Sequence, residues 1–177
     1  LTIIASSLLC IVESDLMTAV SWLVVAQLGY MILACGMGSF ISCIYHLLVS
    51  YAFSTLLLMS ASGVIVACGG RRGMFLMGGI KDKMPVTFWC FMIGAISCAA
   101  IFPASGFFSK DAILWQAFER GYTWLWISAF IGAGLTAFAV FRIAGSVFFG
   151  TSEIPEGTFK RLVESPISVV LPMMMLA

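Results

Sequence analysis

Residues 39–68 run for thirty positions without a single Asp, Glu, Lys or Arg. Few soluble domains can hide such a stretch from water, whereas about 20 apolar residues suffice for a helix to cross the hydrocarbon core of a bilayer. In that core every backbone polar group must be satisfied internally, which leaves helices and closed barrels, and runs of this length suit helices. The remaining chain agrees with a bilayer. Of its 177 residues 62% are hydrophobic and 10% charged, where soluble domains carry roughly 25% charge. Nine Lys and Arg against eight Asp and Glu leave a net charge of +1, so there is no basic field to gather phosphates, and nucleic acid is excluded as a partner.

Charge gaps divide the chain into apolar segments at about 1–12 (partial), 16–35, 39–68, 86–118 (broken near 103–106), 123–149 and 167–177 (partial). The expected fold is therefore all-α, a single polytopic transmembrane helix bundle over residues 1–177 with one discontinuous helix. Segment 39–68 is longer than a perpendicular helix needs, which implies tilt or a break. Segment 86–118 is interrupted at Pro103-Ala104-Ser105-Gly106; such residues free backbone groups that only protein or a hydrated cavity can satisfy at membrane depth. The chain opens on Leu1, with no basic leader, and 171–177 lies inside an apolar run, which reads as an interior piece or processed product of a larger bundle. If each run crosses once, the loops at 69–85 and 150–166 share a face. They carry Arg71, Arg72, Lys81, Lys83, Lys160 and Arg161, against Arg120 alone opposite. The positive-inside rule puts the basic loops in the cytoplasm, or in the matrix of a mitochondrion.

Charges inside hydrocarbon cost from about 2.5 to more than 10 kcal/mol, so each one needs a reason. Lys110 follows the Pro103–Gly106 break and has an apolar remainder beyond it, which makes it a poor headgroup anchor. Asp111 points about 100° away around a helix, favouring separate partners over a closed pair. A partly desolvated lysine can exchange its proton; the alternative is that Lys110 snorkels or ties a broken helix to a neighbour's carbonyl. Ser39, Ser42, His46, Ser50 and Ser54 recur at helical spacing along one face. That stripe suits either water or a helix contact built from small residues, and His46 suits either a proton carrier or a structural hydrogen bond. Arg142 stays charged and is expected to snorkel or pair with an acid. Glu13 and Asp15 are expected to cap the second segment.

The six cysteines lie within apolar stretches without CxxC pairs or Cys/His clusters, and read as small buried hydrophobes rather than metal ligands. No dinucleotide, phosphate-loop, HExxH or haem motif is present, so no catalytic or metal site is assigned and any redox chemistry is expected on other chains.

Several strings carry a resemblance: Asp15-Leu16 with Ser21, AQLGYM at 26–31, His46-Leu47, the run at 56–63, Met77-Gly78-Gly79-Ile80 with Pro85, and above all GFFSKDAIL at 106–114. TAFAVFRIAGSVFFG at 136–150 and Glu164-Ser165-Pro166 extend it. Together they resemble the antiporter-like subunit 5 family of NADH:ubiquinone oxidoreductase, respiratory complex I; Mrp-type cation/proton antiporter subunits are similar at greater distance. The resemblance implies a multi-pass membrane-arm subunit of the mitochondrial inner membrane, or of a bacterial plasma membrane, that contributes to redox-driven proton translocation. NADH, FMN, iron–sulfur clusters and ubiquinone would then belong to partner subunits, with no cofactor on this chain. Implied partners are an adjacent antiporter-like subunit, a long lateral helix, lipids, and a separate chain supplying the N-terminal half of the bundle. Lys110 falls on the terminal lysine of the family's proton path, Asp111 beside it, and His46 on the first of two path histidines. Ser50 stands where the second histidine would be, Ser54 where a lysine would be, and Met17 where a lysine follows Leu16. Two further readings stay open: a component of an Mrp-like antiporter, or a structural remnant of the complex I subunit that pumps little.

Overall fold

Every regular element among residues 1–150 and 167–177, which the computed structural model describes, is helical. The helices are α1 (Thr2–Val12), α2 (Leu16–Gly36), α3 (Phe40–Ala67), α4 (Pro85–Cys98), α5 (Ser105–Glu119), α6 (Thr123–Ala144) and α7 (Ile167–Leu176). A π-helical turn, Gly145–Phe149, continues α6, and a 3₁₀ turn, Met74–Leu76, lies in the loop before α4. Among the described residues three stretches are long and apolar enough to cross a membrane: Leu16–Gly36, Phe40–Ala67 and Thr123–Phe149. The basic residues Lys160 and Arg161 and the string Glu164-Ser165-Pro166 lie outside the described residues.

Local chemistry accounts for the element boundaries. The Asp15 carboxylate accepts from the Met17 and Thr18 amides at 2.8 and 3.0 Å, capping two of the four donors that the start of α2 leaves free. The Glu13 carboxylate holds the Ser14 and Asp15 amides just before it. α2 stops at Met37-Gly38, where Gly38 takes φ 72°, a conformation costly for other residues. α4 begins with Pro85, whose missing N–H costs nothing in a first turn. α3 is 28 unbroken residues, about 42 Å at 1.5 Å per residue, so its extra length does not come from a break.

Two ends of the bundle can be told apart. At one end the loop before α4 lies against the α1–α2 turn, with the Leu16 amide donating to Arg72 O and the Met74 amide to Ser14 O, both at 2.9 Å. At the other end the Arg120 guanidinium donates to Met37 O. Arg71, Arg72, Lys81 and Lys83 belong to the first end and Arg120 to the second, which matches the charge asymmetry read from the sequence.

The interrupted stretch differs from the expectation of a break near 103–106. α4 ends at Cys98 and α5 begins at Ser105, so the irregular segment is 99–104. It holds Pro103 after a cis peptide bond and Ala100 at φ 57°. Gly106 is not in the break but in the first turn of α5. A Cβ there would sit 1.8 Å from the Ser97 carbonyl oxygen, so this glycine serves the close crossing of α4 and α5. Arg142 also departs from expectation. Its partners are not a carboxylate but the Cys10 and Glu13 carbonyls, at 3.4 and 3.2 Å, where α1 runs out of intrahelical donors.

Because the obstacle at Gly106 is backbone, Gly106→Ala should separate α4 from α5 and destabilise the protein by at least about 1–3 kcal/mol. Thermal unfolding of the detergent-solubilised assembly checks this; an unchanged midpoint would contradict the crossing.

Candidate functional site

A polar layer divides two apolar clusters. One cluster gathers residues from Leu16 to Leu23 of α2, Phe53 to Val64 of α3, Phe88 to Cys98 of α4 and Ala139 to Phe148 at the end of α6. The other gathers Tyr30 and Ala34 of α2, Cys43 of α3, Ile113 and Ala117 of α5 and Ala129 of α6. Between them on the same helices come Gln27, His46, Ser50, Ser109, Lys110 and Thr136, all buried. Helical periodicity alone would put apolar residues at these positions; on α2, α3 and α6 the polar ones fall between positions of the two clusters, and Ser109 and Lys110 lie in the first two turns of α5.

Lys110 lies at the centre, with 1% of its surface exposed. Its ammonium donates to the Cys98 carbonyl, the last residue of α4, at 2.7 Å, and stands 5.0 Å from the centre of the Tyr30 ring. The lysine thus closes the helix break that precedes it, satisfying a carbonyl that the end of α4 leaves free. The Tyr30 ring meets His46 edge-on at 5.9 Å, and its hydroxyl donates to Ala129 O at 2.8 Å. Ser109 bonds His46 Nδ1 at 3.0 Å and reaches Gly106 O at 3.2 Å. When the Ser109 hydroxyl donates to Gly106, its oxygen accepts from Nδ1–H, and His46 Nε2 becomes a bare acceptor. Nε2 and the Gln27 Oε1 are buried with no protein partner.

The candidate residues do not all converge. Lys110 and His46 are joined through Ser109 and Tyr30. Asp111 is exposed, on another face of α5, and lines with Lys110, Ala100 and Phe107 a cleft of about 300 Å³ between α5 and α6. Ser50 donates to Leu47 O of its own helix at 3.1 Å. With Ser54 and Gln27 it borders a groove of about 380 Å³ between α2 and α3. The whole stripe from Ser39 to Ser54 is buried. The cysteines follow the expectation of burial except Cys35, which is exposed at the end of α2. Ser109, Tyr30 and Gln27 fall within the strings that carry the resemblance but receive no site role from the sequence; a glutamine inside an apolar span is the available signal for the last of these.

The family model described as "NADH:quinone oxidoreductase/Mrp antiporter, TM" matches residues 1–136. The chain belongs to this membrane family. NADH-quinone oxidoreductase subunit L of Pseudomonas aeruginosa is 36% identical over 150 residues, 84% of this chain and 24% of that protein. Subunit L of Escherichia coli is 31% identical over 172 residues, 96% of this chain and 28% of that one. NADH-ubiquinone oxidoreductase chain 5 of Dictyostelium discoideum is 32% identical over 180 residues, all of this chain and 27% of that one. The chain thus spans about a quarter of the length of the curated relatives it matches. In fold it is similar to a chain of the membrane-bound sulfane sulfur reductase, an archaeal respiratory membrane complex (TM-score 0.91, 23% identity, 99% of this chain and 29% of that one). It is also similar to a chain of the Mrp complex from Dietzia (TM-score 0.86, 19% identity, 99% and 40%). As a family member it is a multi-pass membrane protein, and its polar layer sits within the matched residues.

His46 and Ser109 should be energetically coupled. Ser109→Ala strips a buried ring nitrogen of its partner and should cost about 1 kcal/mol or more. The double variant with His46→Phe should cost less than the sum of the two single variants. Additive midpoints in thermal unfolding would show that the contact contributes nothing.

Proposed function

We propose that this chain is part of the membrane arm of a proton-translocating NADH:quinone oxidoreductase and that its polar layer carries protons laterally through the bundle. The observation that carries this reading is Lys110: an ammonium almost fully buried at a helix break, beside a histidine whose Nε2 is buried with no protein partner. In such a site a lysine and a histidine can exchange protons with each other or with water, whereas a purely apolar bundle could not. Lys110 would load from the cleft it shares with Asp111. The proton would pass by way of Ser109 and His46 Nε2 toward Gln27, Ser50 and Ser54 at the groove between α2 and α3.

The driving reaction lies elsewhere in this reading. NADH oxidation, flavin, iron–sulfur clusters and quinone reduction belong to partner subunits, and this chain supplies no redox site. Its partners are other membrane-arm subunits, including an adjacent antiporter-like subunit and a long lateral helix. The membrane is the mitochondrial inner membrane, or a bacterial plasma membrane. A second reading, an Mrp-like cation/proton antiporter subunit, is favoured by the fold likeness to the Dietzia Mrp complex. Co-purification with flavin and iron–sulfur subunits separates the two. A third, a structural remnant, draws on Met17, Ser50 and Ser54, none of which can hold a titrating charge.

Two substitutions separate proton relay from helix closure. Lys110→Met removes both the charge and the donor to Cys98 O; Lys110→Gln removes the charge but keeps an N–H donor. Protons pumped per NADH should fall in both, while the thermal midpoint should fall clearly only in Lys110→Met. Unchanged pumping by an assembled Lys110→Gln complex would remove Lys110 from the path.

A further inference from the structure

Cys35 and Cys43 face each other across the α2–α3 turn. Cys35 belongs to the last turn of α2 and Cys43 to the first turn of α3, and their sulfurs are 3.3 Å apart. Both are free thiols. Cys10, Cys68, Cys90 and Cys98 are all buried. Cys35 differs from them in being exposed, and Cys43, 9% exposed, stands directly behind it.

The turn lies at the end of the bundle that carries Arg120, away from the basic loop. By the positive-inside rule this end faces away from the cytoplasm or matrix; on the outer face of a bacterial plasma membrane it meets an oxidising compartment. The same turn is where α5 docks. Arg120 binds Met37 O here, and Gln116 Nε2 donates to Ser42 Oγ at 2.9 Å. α5 is the helix that carries Lys110.

From this juxtaposition we infer that Cys35 and Cys43 form a reversible disulfide, made by exchange with a disulfide oxidant on the outer face, which locks the turn that anchors α5. The exposed Cys35 thiolate attacks the oxidant RSSR, forming a mixed disulfide and releasing one thiolate. The Cys43 sulfur then attacks the Cys35 sulfur, forming the internal bond and releasing the second. The two cysteine protons end on two molecules of RSH, and two electrons pass from the cysteine pair to the oxidant. Reduction reverses each step. No other cysteine is needed, and the short thiol contact means that side-chain rotation supplies most of the approach.

The test uses sealed membrane vesicles of each orientation containing the assembled protein, exposed to glutathione disulfide, which does not cross the membrane. Remaining thiols are alkylated after denaturation, and the peptide spanning both cysteines is weighed. The expected result is loss of alkylation at both positions with a two-hydrogen mass decrease, reversed by dithiothreitol and abolished in Cys35→Ser and in Cys43→Ser. It should appear only when the oxidant is on the face opposite the basic loop. Full alkylation of both cysteines, a glutathione adduct on Cys35 with Cys43 still alkylated, or linkage formed only from the basic-loop face would each overturn the proposal.

Discussion

Carbonyls at the end of a helix inside an apolar bundle have no water to turn to, and much of this structure is organised around that shortage. Each helix leaves its last four carbonyls without intrahelical donors, and an unsatisfied group in such surroundings costs about 1–3 kcal/mol. Lys110 answers it inside the bundle, and Arg120 and Arg142 bind helix-end carbonyls in the same way at the bundle's two ends. Lys110 binds Cys98 O at the end of α4, Arg120 binds Met37 O at the end of α2, and Arg142 binds Cys10 O and Glu13 O at the end of α1. Each cation also meets the negative end of a helix dipole. In a chain only 10% charged, this use of cations ties distant segments together, as with Arg142 and Cys10, 132 positions apart.

Among these, the closure at Lys110 has a consequence the other two lack. α4 and α5 are each too short to cross a bilayer, at 14 and 15 residues, so their junction falls inside the bundle, where the lysine is almost fully buried. The group that satisfies the broken helix is thereby held at the level of Gln27, His46, Ser50 and Thr136. In the proposed function, structural need and proton exchange meet in one side chain. The layer is bounded above and below by apolar clusters, so a charge within it has few paths except along the layer itself.

Much of the architecture was legible in the sequence because bilayer burial is written in composition. Charge gaps mark the long apolar runs, and the glycine-rich and basic loop marks one end. The family likeness was legible in strings such as GFFSKDAIL, which place Lys110. The break was misplaced by a few residues because Gly106 is a common helix breaker, and only the 1.8 Å approach of Ser97 O reveals that it is there for packing. Cys35 looked like the other cysteines because composition does not say which side of a helix end is covered.

The sequence by itself determined that this chain is a membrane helix bundle of the antiporter-like kind, because uncharged runs of twenty to thirty residues have few other ways to fold and the motif strings are specific. What it could not determine is which polar residues meet. Lys110 with Cys98 O, His46 with Ser109, Arg142 with the end of α1 and Cys35 with Cys43 are all settled by helix rotation and crossing. Those depend on how the apolar faces pack, and packing is a property of several helices at once, not of any one segment.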